Sequence, residues 1–249
     1  MTTPIELQAG ERLDRLVREQ LDIIQNPAYF AFSVDAILLA YFARVPRRQT
    51  ARILDLCSGN GVIPLLLSHK TQATIKGVEL QAPLVEMAQR SVALNQLDQQ
   101  ITIEQADVVT LAAPDVLYDV VTCNPPYFSV ENKQSQHRLT PHAIARHEVH
   151  LRLDQWIAQA RRQLKDRGKL FCVYRPDRLD DLMEGLLQAG FGIHRIQFAY
   201  GKADQPAKVV LVEAICQGGR QGVKIEPPII IYGADNQYTA EMRAIYYGE

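Results

Sequence analysis

Four consecutive residues, Asn124, Pro125, Pro126 and Tyr127, carry the most chemical information in this chain. They follow an apolar run, residues 118–123, whose composition suits a strand, and a glycine-rich stretch, residues 55–61 (DLCSGNG), lies well upstream. An Asn side-chain carbonyl and a Pro main-chain carbonyl at a strand tip can each accept one N–H of a single planar NH2 group. An aromatic ring beside them, Tyr127 with Phe128 next to it, can stack on the flat system carrying that group. The lone pair of such a nitrogen is delocalised into its ring or amide, so the group is a poor nucleophile. Accepting both N–H bonds pulls the nitrogen toward a tetrahedral shape and frees the lone pair. The chemistry this suits is transfer of an activated methyl group to an amide-like or aromatic-amine nitrogen. Positioning supplies much of the rate, since well-oriented reactants gain roughly 7–11 kcal/mol. The structural alternatives are an Asx turn at Asn124 and a packing role for Tyr127. Two prolines and an aromatic directly after the Asn argue against the simple turn.

The donor side is written in the glycines and acids. Gly59 and Gly61 sit in a strand-to-helix turn, where glycine permits positive φ and close backbone approach. A nicotinamide dinucleotide would use the same geometry, but Val62, Ile63 and Pro64 stand where a third glycine is needed. Glu79 closes the second strand-like run, where a carboxylate accepts bonds from ribose hydroxyls. Asp107 closes the third, where it can accept from an adenine amino group, and Asp55 closes the first, near the place of an α-ammonium. Acids at three successive strand ends suit S-adenosylmethionine, which carries ammonium and sulfonium charges and no phosphate. Each acid could also be a helix cap.

The elements that must position these groups alternate in type from residue 51 onward. Strand-like runs at 51–56, 73–79, 101–104, 118–123, 169–174, 192–200 and 207–215 are interleaved with helical spacing at 62–69, 83–95, 153–164 and 179–189. This predicts an α/β, Rossmann-like seven-stranded sheet, parallel except for an antiparallel last strand, because no helix separates the final two runs. Residues 1–50 fall outside the pattern and read as an N-terminal helical extension. One helix is suggested by Leu13, Leu16, Val17 and Leu21, and a second spans residues 35–43, capped by Ser33 or Asp35. Phe30 and Phe32 between them read either as a cover over the cofactor or as core. Residues 216–249 form a short appendage: a polar loop, an extended edge segment at 226–232 and an aromatic helix at 238–247. The domain division expected is therefore 1–50, 51–215 and 216–249.

Composition bounds the setting. The 249 residues are 47% hydrophobic and 22% charged, ordinary for a globular protein. No apolar run reaches the roughly 20 residues of a membrane span. The N-terminus lacks the pattern of a signal peptide. Cys57, Cys123, Cys172 and Cys216 show no metal-ligand or C-x-x-C spacing, so a reducing cytoplasm and no metal are expected. The net charge of −1 conceals an asymmetry. Residues 51–128 hold 4 Lys/Arg against 8 Asp/Glu, and residues 129–178 hold 11 against 5. A polyanion would prefer the second stretch. Arg161, Arg162, Lys165 and Arg167 there suit a helix C-terminus. Lys133, Arg138 and Arg146, just after the Asn-Pro-Pro-Tyr turn, are candidates for contact with RNA phosphates, while His147 and Glu148 could pin the loop.

In order and spacing, residues 55–61, Glu79, Asp107 and 124–127 resemble the Rossmann-like S-adenosylmethionine-dependent amino-methyltransferases over residues 51–215. Cys57 departs from the pattern, since many members carry glycine there. A narrower set, residues 10–14 (GERLD), 23–27 (IIQNP), 32–36 (FSVDA), 124–128 (NPPYF) and 145–148 (ARHE), is similar to the bacterial tRNA1(Val) adenine-N6 methyltransferase family across nearly the whole chain. The aromatic tail is similar to that of Gram-positive relatives. The resemblance implies S-adenosylmethionine as cofactor, tRNA as partner and the adenine 3′ of the anticodon as acceptor. It implies that Asn124, Pro125 and Tyr127 grip the acceptor and that Asp55, Cys57, Gly59, Gly61, Glu79 and Asp107 hold the cofactor. Alternative acceptors are a protein glutamine amide, which presents the same NH2 group, and DNA adenine. A non-enzymatic RNA-binding protein on the same frame is the third possibility, one that loss of Asn124 or of an acid would favour.

Overall fold

The computed structural model describes residues 6–29, 32–126 and 151–249. A hairpin opens the chain, β1 (Arg12–Leu16) pairing antiparallel with β2 (Leu21–Gln25). Helix α1 (Val34–Phe42) follows, then β3 (Arg52–Leu56), α2 (Val62–Ser68), β4 (Thr74–Glu79), α3 (Ala82–Leu94) and β5 (Ile101–Gln105). The second half holds β6 (Tyr118–Cys123), α4 (Leu153–Gln163), β7 (Leu164–Tyr174), α5 (Leu179–Gln188), β8 (Phe191–Tyr200) and β9 (Ala207–Cys216). The tail adds β10 (Lys224–Ile225), β11 (Ile229–Ile230) and α6 (Ala240–Tyr247).

Among the described residues the main sheet has nine strands, in the order β10-β8-β9-β7-β6-β3-β4-β5, with β11 also paired to β8. β3 to β8 run parallel, and β9 inserts antiparallel between β7 and β8. The seven expected strands and the antiparallel last one are therefore present. The two short tail strands extend them at the β8 edge, and β11 falls within the extended edge segment expected at 226–232.

Side chains alternate across the sheet with period 2. Ile53, Val120, Phe171 and Leu211 face one apolar cluster with α1, α2 and α3, while Leu54, Val121, Leu170 and Val212 face another with α4 and α5. Helices on both faces bury the central strands on both sides, which is why those strands read as unbroken apolar runs. Leu16, Ile23, Met242 and Ile245 join the first cluster, so the hairpin and the tail helix pack on that face.

The first expected helix is corrected. Leu13, Leu16, Val17 and Leu21 have helical spacing, but residues 12–25 form the β1–β2 hairpin. Leu16 lies opposite Leu21 across the turn, Leu13 is 47% exposed, and Gln20 takes a left-handed φ of 59° that reverses the chain. The second expected helix is α1.

Candidate active site

The loop joining β3 to α2 bends through three left-handed residues, Cys57 (φ 60°), Gly59 (φ 56°) and Gly61 (φ 83°). The Ser58 N–H donates to the Val78 carbonyl at 2.9 Å, tying the loop to β4. At Gly59 a side chain would meet nothing within 4 Å, so the backbone there faces open space. Gly61 is the N-cap of α2, and a Cβ on it would lie 3.0 Å from Ala88 Cβ on α3. Cys57 pays the left-handed penalty of a non-glycine residue, about 1–2 kcal/mol. Gly77, which the sequence reading did not single out, lets the loop lie close: a Cβ there would sit 2.6 Å from Ser58 Oγ and 2.7 Å from Ile103 Cδ1.

The three acids differ in their surroundings. Glu79 is 7% exposed, and its carboxylate accepts from Gly59 N–H and Gln81 N–H, each at 2.9 Å. Each oxygen keeps a lone pair for a further donor. Burial raises its pKa, and the Gln81, Gly59 and Leu80 amides oppose the rise. Asp107 caps the short 3₁₀ turn Val108–Thr110 through Oδ1, which accepts from Val109 N–H at 2.8 Å. The capping alternative thus accounts for one of its oxygens. Asp55 is fully buried, and its Oδ1 accepts the Thr122 hydroxyl at 2.5 Å. Burial pushes Asp55 up to about 7; the Thr122 and Ser58 hydroxyls oppose this, and the Glu79 charge adds to it. The Ser58 hydroxyl does so without a full hydrogen bond, because neither Asp55 Oδ2 nor Ser58 Oγ has a partner among the described residues.

Strand β6 brings the acceptor motif alongside this loop. Cys123, its last residue, lies opposite Leu56 of β3 and Cys172 of β7. Asn124 is therefore one step beyond the same sheet edge as Cys57, on strands roughly 4.8 Å apart. Asn124 is half-buried and Pro125 buried. Thr122 joins the two halves: it stands two residues before Asn124, and its hydroxyl holds Asp55 at the start of the loop. Burial pushes the Cys123 thiol well up, with Cys57, Cys172 and Asp55 adding to it, and pushes Cys172 up to about 12. Those thiols stay protonated and unreactive. At the neighbouring tip of β7, Arg175 pairs with Asp177, and Arg178 lies 5.9 Å from the Tyr174 ring centre and 3.1 Å from Asp181. In the sequence these two arginines only added to the basic count of residues 129–178. Tyr127, Phe128, Lys133, Arg138 and Arg146 lie outside the described residues, as does Phe30. Phe32 packs against the larger apolar cluster.

The cofactor inferred from the sequence fits what is present. The loop backbone is open at Gly59, the Glu79 oxygens have spare capacity, and the buried Asp55 Oδ2 lacks a partner among the described residues. Fold and site together define a Rossmann-like, S-adenosylmethionine-dependent methyltransferase. Residues 20–197 match the model of the methyltransferase small domain family. A tRNA1(Val) (adenine(37)-N6)-methyltransferase of Erwinia tasmaniensis is 30% identical over 229 residues, covering 89% of each chain. One of Actinobacillus pleuropneumoniae is 26% identical over 230 residues, covering 91% of this chain and 93% of its own. Among solved structures, "a predicted O-methyltransferase" of Agrobacterium tumefaciens superposes with a TM-score of 0.67 at 23% identity, covering 86% of this chain and 96% of its own. The chain belongs to the methyltransferase small domain family, in the group that includes these tRNA1(Val) (adenine(37)-N6)-methyltransferases.

Proposed function

We propose that this protein methylates N6 of an adenine in a tRNA anticodon loop, the adenine 3′ of the anticodon in tRNA1(Val) being the first candidate. The observation that carries the reading is the juxtaposition of two strand tips: the loop held by Glu79 at the end of β3, and Asn124-Pro125 at the end of β6. The sequence relatives bear tRNA1(Val) names. The described part of the N-terminal segment, a hairpin and one helix, packs onto the sheet rather than standing apart as a protein-recognition module. That favours RNA over a glutamine side chain, and the same reading places the protein in the cytoplasm.

Bound S-adenosylmethionine supplies a methyl group already activated on a sulfonium. The loop of Cys57, Gly59 and Gly61 would cradle it by backbone, Glu79 would accept from its ribose hydroxyls, Asp107 from its adenine amino group, and Asp55 would balance its ammonium charge. Asn124 Oδ1 and the Pro125 carbonyl accept the two N–H bonds of the adenine amine and expose its lone pair. Tyr127 stacks on the base, with Phe128 beside it, which is worth ~1–3 kcal/mol. Lys133, Arg138 and Arg146 contact phosphates. The proton left on the nitrogen after methylation is acidic and departs to solvent, so no strong base is needed beforehand. A loop adenine is also the least costly to present, because it need not be unpaired.

The test is a panel. The protein and a methyl-labelled donor are incubated separately with bulk tRNA, rRNA, DNA and release-factor protein, and labelled products are digested to nucleosides or peptides. Label released from tRNA as N6-methyladenosine supports the reading; label confined to protein overturns it.

A further inference from the structure

On the α1–α2 side of the sheet lies a groove of about 980 Å³ that the methyl-transfer site does not use. Three separate chain segments build it. The linker after α1 gives Arg44 and Arg47, the end of α2 gives His69 and Lys70, and β8 gives Arg195 and Gln197. No carboxylate lines it among the described residues.

The basic side chains fall into two groups. Lys70 and Arg195 have structural work. Lys70 Nζ donates to the carbonyls of Ala40 (2.8 Å), Tyr41 (3.1 Å) and Ala43 (2.6 Å), and Arg195 donates to Phe42 O at 2.7 Å. Together they neutralise the negative C-terminal end of α1. Arg195 is also paired with buried Glu213 at 2.8 Å. The second group is exposed. The Arg44 side chain is 61% exposed, with Glu226 3.4 Å away at the rim; Arg47 is exposed with no side-chain partner among the described residues, and His69, also exposed, faces Glu19. The carboxylates opposing this whole set are Glu213, Glu226 and Glu19. With the helix end already satisfied, the charge of the exposed arginines Arg44 and Arg47 is available to a ligand. Because it is spread over separate segments, it suits an extended anion better than a single phosphate.

The groove is remote from the acceptor tip. Helix α2 begins at the loop of Gly61 and ends at Ser68, before β4 begins at Thr74. The six residues of β4 then span the sheet to Glu79, so groove and site are on the order of 20 Å apart. A helical stem advances about 3 Å per base pair, so this distance reaches the far end of an anticodon stem or beyond it. Resting on the tRNA reading above, we propose that this groove binds the phosphodiester backbone of the tRNA body, outside the anticodon stem-loop.

The experiment compares two RNAs, full-length tRNA1(Val) transcript and its isolated anticodon stem-loop, on wild-type protein and on the double variant Arg44→Gln/Arg47→Gln. Affinity is measured across a salt series, with donor affinity and melting temperature as controls. For the full-length transcript the variant is expected to bind about tenfold more weakly at low salt, and to lose about 1 from the log–log salt slope per arginine removed. Stem-loop affinity should change less than about twofold. If the double variant melts early, Arg47→Glu alone replaces it, with the same comparison. Unchanged affinity for full-length tRNA overturns the inference and leaves the groove to an acidic protein. An equal loss for both RNAs overturns it too, because the contact would then lie within the stem-loop. Failure of the methylation reading has a different signature: no N6-methyladenosine from tRNA with the wild-type protein.

Discussion

Replacing Asp55 with Asn should make the donor-free protein more stable and a poorer binder of its donor. Asp55 is wholly buried, and burial lifts its pKa from 3.8 to about 7. For an acid with a raised folded-state pKa, the folded protein holds the proton more tightly than the unfolded chain. Stability is then greatest below the unfolded value and falls as pH rises through the folded one. The full penalty is present above about pH 7. A shift of three units corresponds to about 4 kcal/mol, a ceiling that relaxation around the charge reduces to about 1–3 kcal/mol. Asn removes the ionisation. Its Oδ1 can still accept the Thr122 hydroxyl, and its NH2 can donate toward Ser58 Oγ, which now has no partner. For a chain of this length each kcal/mol moves the melting temperature by about 2–4 °C. Melting curves at about pH 8 should place Asp55→Asn several degrees above wild type, and the gap should close toward about pH 4. With Asp55 as the proposed partner of the donor's ammonium, calorimetry should show donor affinity at least tenfold weaker. A variant less stable than wild type at high pH, or a gap indifferent to pH, would refute this reasoning.

The remaining predictions concern the loop and the core. Cys57→Gly relieves a left-handed φ of 60° and should raise the unfolding free energy from urea titration by about 1 kcal/mol with donor binding retained; a loss of stability would contradict the assigned strain. Gly77→Ala places a Cβ 2.6 Å from Ser58 Oγ, so it should destabilise by about 1–3 kcal/mol and weaken donor binding measurably in titration. A stable Gly77→Ala protein with unchanged affinity would show that the loop does not depend on that approach. Glu213→Gln leaves Arg195 buried beside a neutral partner and should cost about 3–5 kcal/mol in urea unfolding near neutral pH. Burial pushes Glu213 up, but the Lys169 and Arg195 bonds outweigh it and hold the pKa below the ordinary value. Its contribution is therefore present above the ordinary carboxylate pKa and lost as pH falls through the lowered one. Wild type and variant should converge in acid, and a constant gap would exclude the linkage.

The parallel core was legible because its signals are local. Apolar runs at β3, β4 and β6 read as strands, and Gly59 lies in the turn after the first, Glu79 closes the second and Asn124 follows the third. The hairpin was not legible. Leu13, Leu16, Val17 and Leu21 satisfy a helical period by coincidence, and what selects strands is pairing across a turn whose left-handed residue is Gln20, not glycine. The Thr122–Asp55 bond and the close approach at Gly77 were also hidden, since each depends on which strands become neighbours. The basic groove gathers three segments far apart in the chain, and as sequence its two exposed arginines, Arg44 and Arg47, were only part of a linker. Asp107 shows a different limit: the same side chain can cap a turn with one oxygen and keep the other for a ligand, so the two readings never excluded each other.

The central claim is that the β3 loop and the tip of β6 form one methyl-transfer site in which Asn124 acts on the acceptor alone. Single-turnover methylation of tRNA by Asn124→Ala, with donor affinity measured on the same sample, tests it most directly. The account predicts transfer lost to background while the donor binds within a fewfold of wild type. Transfer at the wild-type rate would contradict it.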